Sequence, residues 1–279
     1  MHFAAQVLSV YLSNTVAAFT RCSRMQVNIM TFEEKSVCGE KGLLEENTQS
    51  QQVNFLSEIV AEYDINRPKQ YDLQLKTGAK KIVLSSYDGE KVRVRLASDT
   101  LATLQDDFKL KSRDVRSRFD LTLKPQSGLN ESLIEDALFI FIMLPKKYIY
   151  GIELAANAEN IELSMLGCDK IELDVKTQNI CLENVVGSVE VNCNQDMNIN
   201  CHTLSGSIEI NQLSAVSRIM VPNGLPFTTL VKGRETSVSY EIDGKVAADF
   251  SVAESDNIIE LNGRKSKLII CTTNPQMQE

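Results

Sequence analysis

The sequence predicts an all-β chain wound as a parallel β-solenoid, with two strands in each coil of about 19 residues. Three observations carry this. Strand anchors recur at Ile152, Ile161, Ile171, Ile180, Val189, Ile199 and Ile208, at spacings of 9 or 10 residues. Most anchors open an apolar-x-apolar triplet, as in Ile152-Glu153-Leu154, Ile171-Glu172-Leu173 and Ile208-Glu209-Ile210. The run Gly187-Ser188-Val189-Glu190-Val191 returns nineteen residues later as Gly206-Ser207-Ile208-Glu209-Ile210.

Each observation has a physical reason. A period of two sends alternate side chains to one face of a strand. A single coil is too thin to bury that apolar face, so the next coil must stack on it, about 4.8 Å away. Glycine at the same corner of successive coils fits a backbone with positive φ. An antiparallel meander would need tight two-residue turn signals between the strands, and residues 151–211 have none.

Along the chain, residues 1–68 read as an N-terminal extension. Its first twenty residues are apolar but broken by Ser13, Asn14 and Thr15, with no Lys or Arg ahead of them. They read as a terminal helix or an over-extended start, with Met25 as the alternative start, and not as a signal peptide. Residues 33–52 read as a polar linker. Phe55, Leu56, Ile59, Val60 and Tyr63 have the spacing of one short amphipathic helix over 54–63. The solenoid domain is expected over 69–273, most regular over 151–211, with 274–279 as a tail.

Within that domain, Leu73-x-Leu75, Ile82-x-Leu84 and Val92-x-Val94-x-Leu96 read as strands, with Asp88-Gly89 as a turn. Residues 99–118 are charged and interrupt the pattern, and Lys109, Lys111, Arg113, Arg116 and Arg118 read as a solvated loop. Phe139 to Leu144 reads as a strand buried on both sides. Asp243-Gly244 and Asn262-Gly263 read as hairpins, and the apolar runs flanking the second are placed to close the stack.

The turns Leu204-Ser205-Gly206-Ser207-Ile208-Glu209-Ile210 and Val185-Val186-Gly187-Ser188-Val189-Glu190-Val191 resemble the S-G-D-I-x-I repeat of the bacterial putative-adhesin domain family. Met143-Leu144-Pro145 and the segment from Asn257 to Thr272 are similar to that family too, so the resemblance spans roughly residues 70–273. Ser stands where the family has Asp. The resemblance implies a β-solenoid of unknown function without catalytic residues, and a place at the cell envelope or surface. The missing secretion signal points instead to the cytoplasm.

The composition excludes several classes. No Trp and only seventeen Phe plus Tyr leave few stacking platforms for single-stranded nucleic acid. A net charge of −8 opposes DNA binding. Seven cysteines without C-x-x-C spacing argue against a zinc knuckle or a disulfide framework. No apolar run reaches transmembrane length. No serine-hydrolase, metalloprotease, phosphate-loop or dinucleotide motif occurs, and no cofactor is expected. Cys201 and His202 are neighbours on a strand, so they point to opposite faces and cannot form a nucleophile pair.

The charge is localised. Residues 151–215 hold ten acids against two bases, a net of −8, whereas residues 69–124 hold thirteen bases against eight acids, a net of +5. Glu153, Glu172, Glu190 and Glu209 fall outward and in one column, a candidate acidic binding strip, and Asn192 and Asn211 start a second column. Like charges about 4.8 Å apart in water repel by about 0.9 kcal/mol per pair. The reading is a non-enzymatic binding, adhesion or scaffold module whose partner is an unknown protein, glycan or cation. Two others stay open: a cytoplasmic structural or regulatory module that associates with itself, and a carbohydrate-active β-helix enzyme. The latter would need sugar-stacking aromatics, and residues 151–214 contain none.

Overall fold

The computed structural model describes residues 55–126 and 134–272. The apolar start, the polar linker and the tail expected at 274–279 lie outside them. The chain is all-β, with a mostly parallel sheet. The first strands are β1 (Ser57–Asp64), β2 (Lys69–Tyr87) and β3 (Lys91–Ser98), then a single helical turn α1 (Leu104–Asp107). Next come β4 (Phe108–Val115), β5 (Arg118–Pro125), β6 (Leu138–Pro145) and β7 (Ile149–Ser164). The regular region holds β8 (Gly167–Lys176), β9 (Asn179–Glu183), β10 (Val185–Asn192), β11 (Met197–Cys201), β12 (Leu204–Leu213) and β13 (Val216–Met220). The last are β14 (Thr228–Arg234), β15 (Ser237–Ile242), β16 (Lys245–Ala247), β17 (Ile258–Arg264) and β18 (Lys267–Thr272).

Parallel pairing follows the nineteen-residue repeat. Val189 lies between Ile171 and Ile208, and Ile199 beside Ile180 and Ile219. One ladder runs β5, β2, β7, β8, β10, β12, β17, β14, all parallel. A second runs β6, β2, β7, β9, β11, β13, β18, β15, also parallel. The long strands β2 and β7 serve both ladders, with an irregular register between Gln74 and Gly78 where they pass from one to the other. Ile152, Ile171, Val189 and Ile208 of the first ladder and Ile161, Ile180 and Ile199 of the second are all buried in one hydrophobic cluster.

Space and sequence order part company at both ends. β2 lies between β5 or β6 on one side and β7 on the other, although β5 and β6 follow it in the chain. β17 lies between β12 and β14, and β18 between β13 and β15. The Ile258 and Leu268 runs therefore do not close the stack as expected. β14, β15 and the hairpin strand β16 lie beyond them.

Three local expectations are corrected. Residues 57–64 are not helical. β1 pairs antiparallel with β3, with Ile59, Ala61 and Tyr63 half-buried and Glu58, Val60 and Glu62 exposed. Alternation wins because Glu62 faces Lys91 and Arg93 at 3.1 and 3.0 Å, Glu58 meets Arg95 at 2.9 Å, and the Tyr63 ring packs on Phe119. The basic run is a hairpin and not a loop: among the described residues β4 pairs antiparallel with β5 alone, its exposed Lys109, Lys111 and Arg113 line a sheet edge, and Arg116 and Arg118 lie at the turn and the start of β5. Such charge opposes edge-to-edge association. Asn262-Gly263 is not a hairpin but the interior of β17, where Asn262 sits beside Asn211. The Asp243-Gly244 hairpin is present, with φ of 50° and 72° between Ile242 and Lys245. Phe139–Leu144 forms β6, mostly buried, with the Phe55 ring against Phe139 and Phe141.

The repeat's glycines sit as expected. Gly187 and Gly206 are register partners with φ of 115° and 128°. A Cβ on Gly206 would lie 2.2 Å from the Gly187 carbonyl oxygen, and one on Gly187 would lie 1.9 Å from that of Cys168. Both the left-handed backbone and the close approach of the next strand require the missing side chain.

Candidate functional site

The outward positions of the first ladder form the candidate site. Ile152 and Leu154 are buried, so Glu153 between them faces out, and the same holds for the triplets around Glu172, Glu190 and Glu209. The parallel register brings Glu153 beside Glu172, Glu172 beside Glu190, and Glu190 beside Glu209. All four residues of the sequence-derived strip are thus in one column.

The column is longer than the sequence reading found. Glu260 follows Glu209, and on the other side Asp72 adjoins Glu153 and Asp120 adjoins Asp72. Seven carboxylates stand in seven successive parallel strands. The signal was present: Tyr71-Asp72-Leu73, Phe119-Asp120-Leu121 and Ile259-Glu260-Leu261 are the same apolar-acid-apolar triplet.

Cations from positions two residues away on the same face offset part of this charge. Arg118 holds Asp120 at 2.5 Å and also bonds Asp72. Lys170 bridges Glu190 at 2.7 Å and Glu172 at 3.2 Å. Lys232 holds Glu260 at 2.6 Å. These partners act on the cations in turn. Asp120 first, then Asp72, raises the Arg118 pKa; Glu190 and then Glu172 raise that of Lys170; Glu260 raises that of Lys232. Among the described residues Glu153 accepts a bond from Gln70 Nε2 at 3.3 Å. Glu153 and Glu209 are the two members of the column without an ion pair among the described residues.

Neutral ladders flank the acids. Asn192, Asn211 and Asn262 are register neighbours, and Asn211 Nδ2 donates to Asn192 Oδ1 at 2.9 Å and to Glu190 Oε1 at 3.0 Å. On the second ladder Asn198 donates to Asn179 at 3.2 Å and Asn179 to Asn160 at 3.0 Å. This second amide ladder was missed, although its nineteen-residue spacing is visible in the sequence.

Cys168, Cys193, Cys201 and Cys271 are free thiols. Cys201 is buried and His202 exposed, so they face apart as expected. Burial pushes the Cys201 thiol up to about 12 and the Cys168 thiol up to about 11. Among the described residues, no three His, Cys, Asp or Glu side chains are grouped to hold a metal ion. The neutral thiol form of Cys201 is favoured in the fold. Its contribution to stability is full below the ordinary thiol value of 9.0 and is lost as pH rises from there towards about 12. Native protein at pH 8 is therefore expected to leave Cys201 unlabelled by iodoacetamide, with labelling gained on adding urea. Labelling at the rate of a free peptide thiol would contradict this.

The fold and its outer face define an all-β protein of in-register parallel strands with one carboxylate column. No family model matches the sequence, and no curated protein does. Among solved structures, it is similar to a putative cell adhesion protein from Clostridium sporogenes, at 14% identity and a TM-score of 0.44 over 78% of this chain and 99% of that one. It is also similar to a putative adhesin from Bacteroides fragilis, at 13% identity and a TM-score of 0.38 over 77% of this chain and 97% of that one. A third is a putative lipid binding protein from Parabacteroides distasonis, at 11% identity and a TM-score of 0.33 over 76% and 96%. No helix among the described residues is long and apolar enough to cross a membrane.

Proposed function

We propose that this chain is a non-enzymatic β-solenoid module, with its domain over 69–273 and β1 joined to its edge. It binds a basic partner along the carboxylate column, at the bacterial envelope. The observation that carries the binding surface is the register itself: seven carboxylates are held in line, and among the described residues Glu153 and Glu209 make no ion pair within 4.0 Å, although Lys232 acts on Glu209 from further off. A line of charges at strand spacing suits Lys or Arg side chains of an extended partner better than chelation of one ion. The envelope location rests on the family resemblance of the repeat turns.

The structure changes which residues test this. Neutralising Glu172 and Glu190 would relieve no net repulsion, because Lys170 already bridges them. Glu153→Gln with Glu209→Gln is the informative pair. An oligolysine peptide titrated at fixed ionic strength is expected to bind the parent and to bind this double variant at least fivefold more weakly. In low salt the variant's melting temperature is expected to equal or exceed the parent's, since two like charges are gone. Equal oligolysine affinity for both proteins would reject the column as the binding surface, and a melting shift with calcium but none with oligolysine would reject the basic partner.

A further inference from the structure

A second charged surface lies where the first ladder hands the chain to the second. Ser214, Glu235 and Lys265 occupy the turns β12–β13, β14–β15 and β17–β18, each left-handed with φ of 52°, 55° and 55°. An open cleft of about 420 Å³ lies against them, and its polar lining includes Ser214, Glu235, Ser237, Lys265 and Lys267. Arg234 and Arg264 flank it. They are direct register partners on β14 and β17, each preceding a lining residue.

All four cations are exposed. Within residues 151–272, Lys170, Arg218 and Lys232 each hold a carboxylate. Arg234, Arg264, Lys265 and Lys267 hold none within 4.0 Å among the described residues. Like charges directly opposite on paired strands are destabilising. Among the described residues Glu235 lines the cleft and the Asp196 carboxylate accepts from the N–H of its lining residue Val216 at 2.7 Å, two acids against four cations, so this corner is positive on a chain of net charge −8.

The backbone adds a donor. Ser214 N–H donates to the Arg264 carbonyl and Lys265 N–H to the Arg234 carbonyl, both at 2.9 Å. Glu235 is next in that series, and among the described residues no strand lies beyond β14 to accept from its N–H. Two adjacent guanidinium forks, two ammonium groups and an open amide match the several acceptor oxygens of a phosphate or sulfate group.

We propose that this corner is an oxyanion site, taking a phosphate or sulfate group either as the free ion or carried on a lipid headgroup. Arg234 and Arg264 supply planar donors, and Lys265 and Lys267 supply charge. The test titrates sodium phosphate into the full chain at ionic strength held constant with sodium chloride, followed by calorimetry. A parallel arm sediments the protein with phosphatidylglycerol or phosphatidylcholine vesicles. Arg264→Gln with Lys265→Gln should weaken phosphate binding at least tenfold without lowering the melting temperature. Lys245→Gln, which removes one charge away from the cleft, should leave it unchanged. Binding of phosphatidylglycerol vesicles without free phosphate binding, lost in the double variant, assigns the source to a lipid headgroup. The site is overturned if the parent binds neither probe beyond the chloride control, or if Lys245→Gln weakens binding as much as the double variant.

Discussion

Val189→Asp is expected to destabilise the protein by about 4 kcal/mol or more, enough to abolish most or all of a typical domain's stability. Val189 is 2% exposed, pairs with Ile171 and Ile208, and its side chain lies in the common apolar cluster. A carboxylate there has no counter-charge, whereas Val189→Ala removes only two methyl groups at a cost of about 2 kcal/mol. Urea denaturation at pH 7 separates the two. The buried acid favours its neutral form, so its pKa lies above the unfolded value and its deficit relative to the parent should shrink near pH 4. An Asp variant no less stable than the Ala variant at pH 7 would place Val189 outside the core.

The second large effect is Gly206→Ala. An L-residue at positive φ costs about 1–2 kcal/mol. Here the new Cβ would also lie 2.2 Å from the Gly187 oxygen and 2.8 Å from its carbonyl carbon, so the two paired strands must separate. Gly224→Ala is the control. Gly224 has φ of 72° in a turn with nothing within 4 Å of its added Cβ, so it bears the conformational cost alone. Denaturation midpoints should fall for both and clearly further for Gly206→Ala. Equal losses would show that the strand contact contributes nothing.

The regular region was legible because its inward residues leave little choice. Ile152, Ile171, Val189 and Ile208 can be buried together only in parallel register, and that register puts Gly187 on Gly206 and Glu172 on Glu190. At β1 the sequence fits two periods at once. Ile59 and Tyr63 stand four apart, as on a helix, but alternate with Glu58 and Glu62, and the cations of β3 decide between the two. Asn262-Gly263 has the composition of a tight turn, but its backbone is already paired on both sides. The carboxylate column was found only where the spacing was regular, so Asp72, Asp120 and Glu260 were overlooked. The role of Lys170 was hidden because its partners lie two residues away on its own strand and on the adjacent one. The order of strands in space was hidden too, since the edges of β12, β14 and β17 are rows of the same backbone N–H and C=O groups, which carry no sequence signal.

That displaced order bears on how the chain is made. A ribosome releases the N-terminal segments first. Partners in the middle, such as Val185 and Leu204, are 19 residues apart, whereas Ser207 and Ile258 are 51 apart and Tyr71 and Ile152 are 81 apart. Closing the longer loops costs about 0.9 and 1.3 kcal/mol more than closing the short one, by the logarithmic dependence on length. Among the parallel pairings, those of β8–β13 close the shortest loops, so growth outward from them is not a simple zipper. β14 and β15 emerge from the ribosome before β17 and β18, with which, among the described residues, they pair in parallel. The interval between those two emergences is a window in which β12 and β13 present bare edges, and cellular chaperones would meet the nascent chain there.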